Sequence, residues 1–94
     1  MAIARFDGEV LAESVDTVVV EGNHYFPPQS VRSGLLRPSD TTSTCAWKGD
    51  ASYYSINVHG RPVPDAAWCF PHPREAAASI KGHIAFSPEV TIEI

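Results

Sequence analysis

The side chains able to do chemistry concentrate between Ser39 and Tyr54, where sixteen positions hold hydroxyls, two carboxylates, a thiol, an indole, an ammonium and two phenols. Ser39, Asp40 and Thr41 follow a proline, a setting in which such residues make turn hydrogen bonds to nearby amides. Held by bonds of that kind, Asp40 presents a carboxylate to a ligand. Cys45 stands three residues before Lys48, close enough for the ammonium to favour a thiolate, although free cysteines are also among the most buried residue types. Lys48-Gly49 in a tight turn sets an ammonium beside backbone N–H groups, a combination that holds an anion. A lysine at a hairpin tip also serves plain solubility. Trp47, Tyr53 and, further on, Trp68 supply aromatic walls, and Asp65 a further carboxylate.

No complete catalytic or metal signature emerges from these residues. The four histidines show no His-x-x-x-His spacing and neither cysteine belongs to a Cys-x-x-Cys pair, which argues against a metal centre. No paired Asp-x-Asp and no glycine-rich phosphate loop is present, and His72, just before the predicted helix, reads as a loop residue. The expectation is therefore a binding module without a cofactor. A pocket lined by Asp40, Trp47, Lys48, Tyr53 and Trp68, with Ser39, Thr41, Cys45 and Asp65 around it, takes a small polar or anionic ligand. The alternative from the residues alone is an enzyme working by thiol chemistry at Cys45.

The elements that must position these groups are mostly short strands. Asp7-Gly8 between Arg5-Phe6 and Glu9-Val10-Leu11 predicts a tight hairpin, because both central residues of a type I′ turn need positive φ. A second hairpin runs from Thr17 to Phe26 across Gly22-Asn23 and is stopped by Pro27-Pro28. Gln29 to Leu36 can hold a turn of helix broken at Gly34. Thr42–Trp47 and Ala51–Val58 flank Lys48-Gly49-Asp50, and the second arm alternates: Tyr54, Ile56 and Val58 share one face, while Tyr53 points the other way, toward the site. Another strand spans Asp65 to Phe70, with Trp68 and Phe70 on one face. One helix is predicted over Pro73–Lys81, with proline in its first turn, Glu75 near its N-terminus, and Ala76, Ala77 and Ile80 on its inner stripe. Val90 to Ile94 closes the chain as a strand. The predicted buried set is Val18, Val20, Phe26, Tyr54, Ile56, Val58, Trp68, Ile80, Phe86 and Ile92.

Composition agrees with this reading. Ninety-four residues make one domain, 1–94, with a single modest core. Eleven acidic against seven basic side chains leave a net charge of −4, which argues against nucleic acid or an anionic membrane as the main partner. The N-terminus reaches a charge at Arg5 with no apolar stretch before it, so a cytoplasmic protein is expected, a monomer or small homo-oligomer with both thiols reduced.

Several pieces in order carry a resemblance: Tyr25-Phe26-Pro27, Ser39-Asp40-Thr41, Cys45-x-Trp47-Lys48-Gly49, Tyr53-Tyr54, Asp65-Ala66-Ala67-Trp68, Pro71, Gly82 and Ala85-Phe86. With this spacing the chain resembles the small bacterial proteins of domain-of-unknown-function family 427. The resemblance implies a mainly β, single compact β-tent-like domain of short antiparallel strands, a group that includes methionine sulfoxide reductase B. It also brings the label of a nucleotidyltransferase domain, which implies nucleotidyl or phosphoryl transfer as a further enzyme alternative, with no catalytic residues to transfer. Ala46, Cys69 and Ser87 depart from the pattern, which more often has Pro, Tyr and Tyr there.

Overall fold

A computed structural model describes all residues, 1–94, as nine strands and three short 3-10 turns. The strands are β1 (Ala2–Phe6), β2 (Glu9–Ser14), β3 (Val18–Val20), β4 (Asn23–Tyr25), β5 (Leu36–Cys45), β6 (Gly49–Val58), β7 (Arg61–Cys69), β8 (Ile84–Phe86) and β9 (Thr91–Glu93). All strand pairs are antiparallel and form three sheets, ordered β2-β1-β9, β3-β4 and β5-β6-β7-β8. The expected mainly β class is therefore observed. The radius of gyration, 12.4 Å, is that of one compact body of this length. No helix is long and apolar enough to cross a membrane.

Turn chemistry sets the hairpins. Asp7-Gly8, Glu21-Gly22 and His59-Gly60 hold positive φ at both residues, the geometry whose twist matches the flanking strands. The second of these differs from expectation by one position, since the reversal falls on Glu21-Gly22 and leaves Asn23 inside β4. The β5–β6 connection has the expected length but lies two positions earlier than expected. Cys45 pairs with Gly49, so the loop is Ala46-Trp47-Lys48 alone.

The predicted C-terminal helix forms only in part. Glu75–Ile80 is 3-10, interrupted by non-helical backbone at Ala77, and its inner residues are Ala77 and Ile80, with Ala76 exposed. The segment is too short to sustain an α-helix on propensity, and the demand that both Ala77 and Ile80 reach the core sets its shape. Gln29–Leu36 likewise becomes two 3-10 turns, Pro28–Ser30 and Ser33–Leu35, with Gly34 inside the second.

Two apolar clusters form the core, and β6 belongs to both. Ile56 and Val58, with Tyr54 against them, join Ala2, Ala4, Leu11, Phe26, Ala67 and Phe86 under the β2-β1-β9 sheet. Ala51, with Tyr53 against it, joins Tyr25, Phe70, Ala77, Ile80 and Ala85. The side of β6 that carries its apolar residues thus switches between Tyr53 and Tyr54. Consecutive residues elsewhere divide the same way, Tyr25 from Phe26 and Ala85 from Phe86. Of the predicted buried set, Phe26, Ile56, Val58, Ile80 and Phe86 are buried, whereas Val18, Val20, Tyr54, Trp68 and Ile92 are half-buried at the cluster margins.

Replacing fully buried Ile56 by alanine removes the centre of the larger cluster and should cost about 2–5 kcal/mol of stability. Equilibrium denaturation measures this; a loss under about half a kcal/mol would show that β6 does not anchor that core.

Candidate functional site

Two irregularities in the four-stranded sheet build the first part of the site. In β5 the register jumps from Pro38↔Tyr54 to Thr42↔Ser52, so Ser39, Asp40 and Thr41 bulge opposite Tyr53. In β7 it jumps from Ala67↔Tyr54 to Val63↔Ile56, so Pro64, Asp65 and Ala66 bulge opposite Ser55. Strands on either side of β6 therefore bulge at neighbouring levels, and the two bulges meet across it. Ser39 Oγ donates to Asp65 Oδ1 at 2.6 Å and Thr41 Oγ1 donates to Asp65 Oδ2 at 2.7 Å. The Thr41 amide donates to Ser39 Oγ at 3.1 Å, and the Asp65 amide to Ser55 Oγ at 3.2 Å. Asp65 holds φ of 52°, a left-handed conformation that costs a non-glycine residue energy and is maintained here by these bonds. The Ser39 hydroxyl, then that of Thr41, hold the Asp65 carboxyl below its ordinary range. Asp40, the carboxylate expected to face a ligand, instead sits exposed at the bulge without a side-chain partner; Ser39 and Thr41 turn to Asp65 across the sheet.

Lys48 forms the second part, and its setting differs from a hairpin tip. It is the one charged residue in the buried set, 7% exposed, because the loop folds onto the segment before the last 3-10 turn. The Arg74 amide donates to the Lys48 carbonyl at 2.9 Å. Gly49 has φ of +111°, a conformation that strains any residue with a Cβ, and it packs against the backbone of 72–74, where a Cβ would stand 3.4 Å from the His72 carbonyl oxygen. The Lys48 ammonium lies 5.4 Å from the ring centroids of Trp47 and Phe70. It donates to Glu21 Oε1 on the β3–β4 turn. The Lys48 side chain is 9% exposed and that of Glu21 52%.

The electrostatics follow this arrangement. Burial alone favours the neutral amine of Lys48, but Glu21, aided by Tyr25 and Cys45, outweighs it and raises the pKa above its ordinary value. Against its own desolvation, Glu21 is held below the usual carboxylate range by the Lys48 hydrogen bond and charge, with the Trp47 indole N–H contributing.

The remaining expected residues line the route between the two parts. Tyr53 lies on the predicted side of β6: its hydroxyl meets Ser43 Oγ at 3.0 Å and its ring lies 6.3 Å from that of Trp68. Trp68 Nε1 donates to the Tyr25 hydroxyl at 3.2 Å, and the Tyr25 and Phe70 rings are 6.4 Å apart. Trp47 is 40% exposed. Cys45 is half-buried against the smaller cluster. These groups do not close into a pocket: the expected concavity is absent, and the site is an open surface with a sunken ammonium. Nor do three or more His, Cys, Asp or Glu side chains gather as a metal site requires. Sequence reasoning missed Glu21, Tyr25 and Phe70. Glu21 had one readable signal, an acidic long side chain before glycine at a turn position that favours Asn, Asp or Gly.

The arrangement defines a small antiparallel β domain with a buried lysine capped by a surface carboxylate. The chain belongs to the family described as domain of unknown function (DUF427), whose model matches residues 2–94 and carries the short name NTP_transf_9. No curated protein matches the chain.

Two measurements check this geometry. The lowered Asp65 pKa means that its contribution is present above the ordinary carboxyl pKa of 3.8 and is lost as pH falls through the lower folded value. Melting curves between neutral and strongly acidic pH should fall more steeply below that point for the native chain than for Asp65→Asn; parallel curves would remove Asp65 as a lock between the bulges. Both thiols are free, so reagent titration of unfolded, unreduced protein should find two. In the folded protein Cys69, buried and with its thiol pKa raised by that burial, should react more slowly than Cys45; equal rates would contradict its placement.

Proposed function

We propose that this domain is a binding module for a small anionic ligand, with Lys48 as the anchor. The observation that carries the proposal is the asymmetry of the ion pair: an ammonium sunk among aromatic rings, facing a carboxylate that remains half exposed. A buried ammonium demands an anion, and replacing one partner leaves a large penalty unless another anion takes its place. A carboxylate on a surface turn leaves at little cost, since water solvates it once it swings out. A ligand anion can therefore exchange for it at the same ammonium. Trp47 offers the ligand an exposed aromatic wall beside the anchor. The polar Ser39–Thr41–Asp65 junction is the better reading for sheet geometry, because both carboxylate oxygens there already accept hydroxyls.

The family's short name points to nucleotidyl transfer, a reaction that ordinarily relies on carboxylates holding divalent ions at a transferring phosphate. Asp65 is engaged by Ser39 and Thr41, and Asp50 by Thr44 at 2.9 Å. The binding reading draws on more of the observed geometry than either that reaction or thiol chemistry at half-buried Cys45. Neither nucleic acid nor a membrane is proposed as a partner, given the net charge of −4.

Lys48→Met keeps the apolar stem and removes the charge. The expected surface position of Lys48 does not hold, yet this variant should still melt close to the parent, because the released Glu21 carboxylate is reached by water. Loss of a charge-assisted hydrogen bond of about 1.5–3 kcal/mol should weaken binding of acetate, phosphate or a nucleotide at least tenfold, read by calorimetry or Trp fluorescence. Equal binding by parent and variant, or none by the parent, would overturn the proposal.

A further inference from the structure

We propose that Glu21 is a built-in occupant of the Lys48 site, standing in for a ligand carboxylate, so that the ligand class is a small carboxylic acid which binds by displacing the β3–β4 turn. The inference rests on the anion-binding reading above and adds the ligand's chemistry and the gate.

The first support is the backbone. Glu21 occupies the first position of a two-residue turn with φ of 53°. That conformation favours Asn, Asp or Gly, and glutamate gains nothing local from it. Asp7 and His59 hold the equivalent places in the other two such turns with φ of 51° and 52°. Of the three, Glu21 alone reaches a buried group of opposite charge: Asp7 and His59 face each other at 3.4 Å, both exposed. The strain at Glu21 is offset by what its carboxylate does at Lys48.

The second support is the donor set. The carboxylate meets one donor, the Lys48 ammonium, which the Trp47 ring flanks at 5.4 Å. A single ammonium matches the single negative charge of a carboxylate, whereas a phosphate would keep further charged oxygens without a donor. The half-exposed indole face of Trp47 then suits a carboxylic acid with an apolar or flat remainder.

The third support is the carrier. β3 and β4 make a two-stranded sheet with three residue pairs and no third strand beside β3. Beyond the Lys48 ion pair, the Glu21 side chain makes no other hydrogen bond. The turn can therefore open locally while β4 remains tied through Phe26 to Ile84, by amide bonds of 2.8 and 2.9 Å.

The test follows the Trp47 indole and the Glu21 and Gly22 amide resonances during titration with sodium acetate, ionic strength being held constant with chloride, in the parent and in Glu21→Gln, Glu21→Asn and Lys48→Met. An occupant tethered by a short turn competes at an effective concentration in the millimolar range or above, so removing its charge should tighten acetate binding about tenfold or more. Glu21→Asn suits the turn's positive φ and covers the case in which the Gln variant folds poorly. In the parent, acetate should shift the Glu21 and Gly22 amides together with the indole. Sodium phosphate, run in parallel, should bind more weakly than acetate in both Glu21 variants. Equal acetate affinity in the parent and both Glu21 variants would overturn Glu21 as occupant while leaving the anion site standing. Tighter binding of phosphate than of acetate would overturn the carboxylic-acid class. Binding undiminished in Lys48→Met would overturn the site itself.

Discussion

A chain of 94 residues cannot bury a strand completely with one sheet, yet β6 carries apolar side chains on both of its sides. Ala51 and Tyr53 require cover on one side, and Tyr54, Ile56 and Val58 on the other. The β2-β1-β9 sheet meets the second demand. The β3–β4 hairpin with the last 3-10 turn meets the first. Tyr25-Phe26 and Ala85-Phe86 alternate between the same two clusters, so the strands beside β6 obey the constraint it sets. The modest size of each cluster follows, since one small core divided in two leaves little depth in either.

The bulges fall around the place where the apolar residues of β6 change sides, between Tyr53 and Tyr54. In each, four positions of the neighbouring strand span two of β6, so two residues are added and the side-chain alternation continues in phase beyond them. Their unpaired polar groups then need partners, and Ser39, Thr41, Ser55 and Asp65 supply them to one another. The bulge also interrupts β5, the outer strand of its sheet, and its exposed polar side chains are of the kind that discourages another chain from pairing there.

Lys48 stands apart from this logic. An apolar side chain in its place would pack between Trp47 and Phe70 with no ion pair to satisfy, and replacements of buried pairs by apolar groups are often neutral or stabilising. Fold stability therefore gives no account of an ammonium at this depth. Its pairing with a solvent-reached carboxylate on a strained turn is the feature of the molecule that most resembles a binding device.

The sequence by itself determined the mainly β class, the hairpin at Asp7-Gly8, the opposite senses of Tyr53 and Tyr54, and the family. These are properties of near neighbours in the chain: turn conformations open to glycine, and a period of two. It also marked Ser39, Thr41, Asp65 and Lys48 as residues of consequence, without their partners. Asp65 lies 26 positions from Ser39 and Glu21 lies 27 from Lys48. No local periodicity connects such pairs; the strand order and the register jumps of two bulges bring them together. The same holds for the 3-10 form of Glu75–Ile80, where packing of Ala77 and Ile80 overrode helix propensity. Whether Lys48 would sit at a tip or in the interior was likewise a tertiary decision, made where Gly49 allows the 72–74 segment to close over the loop.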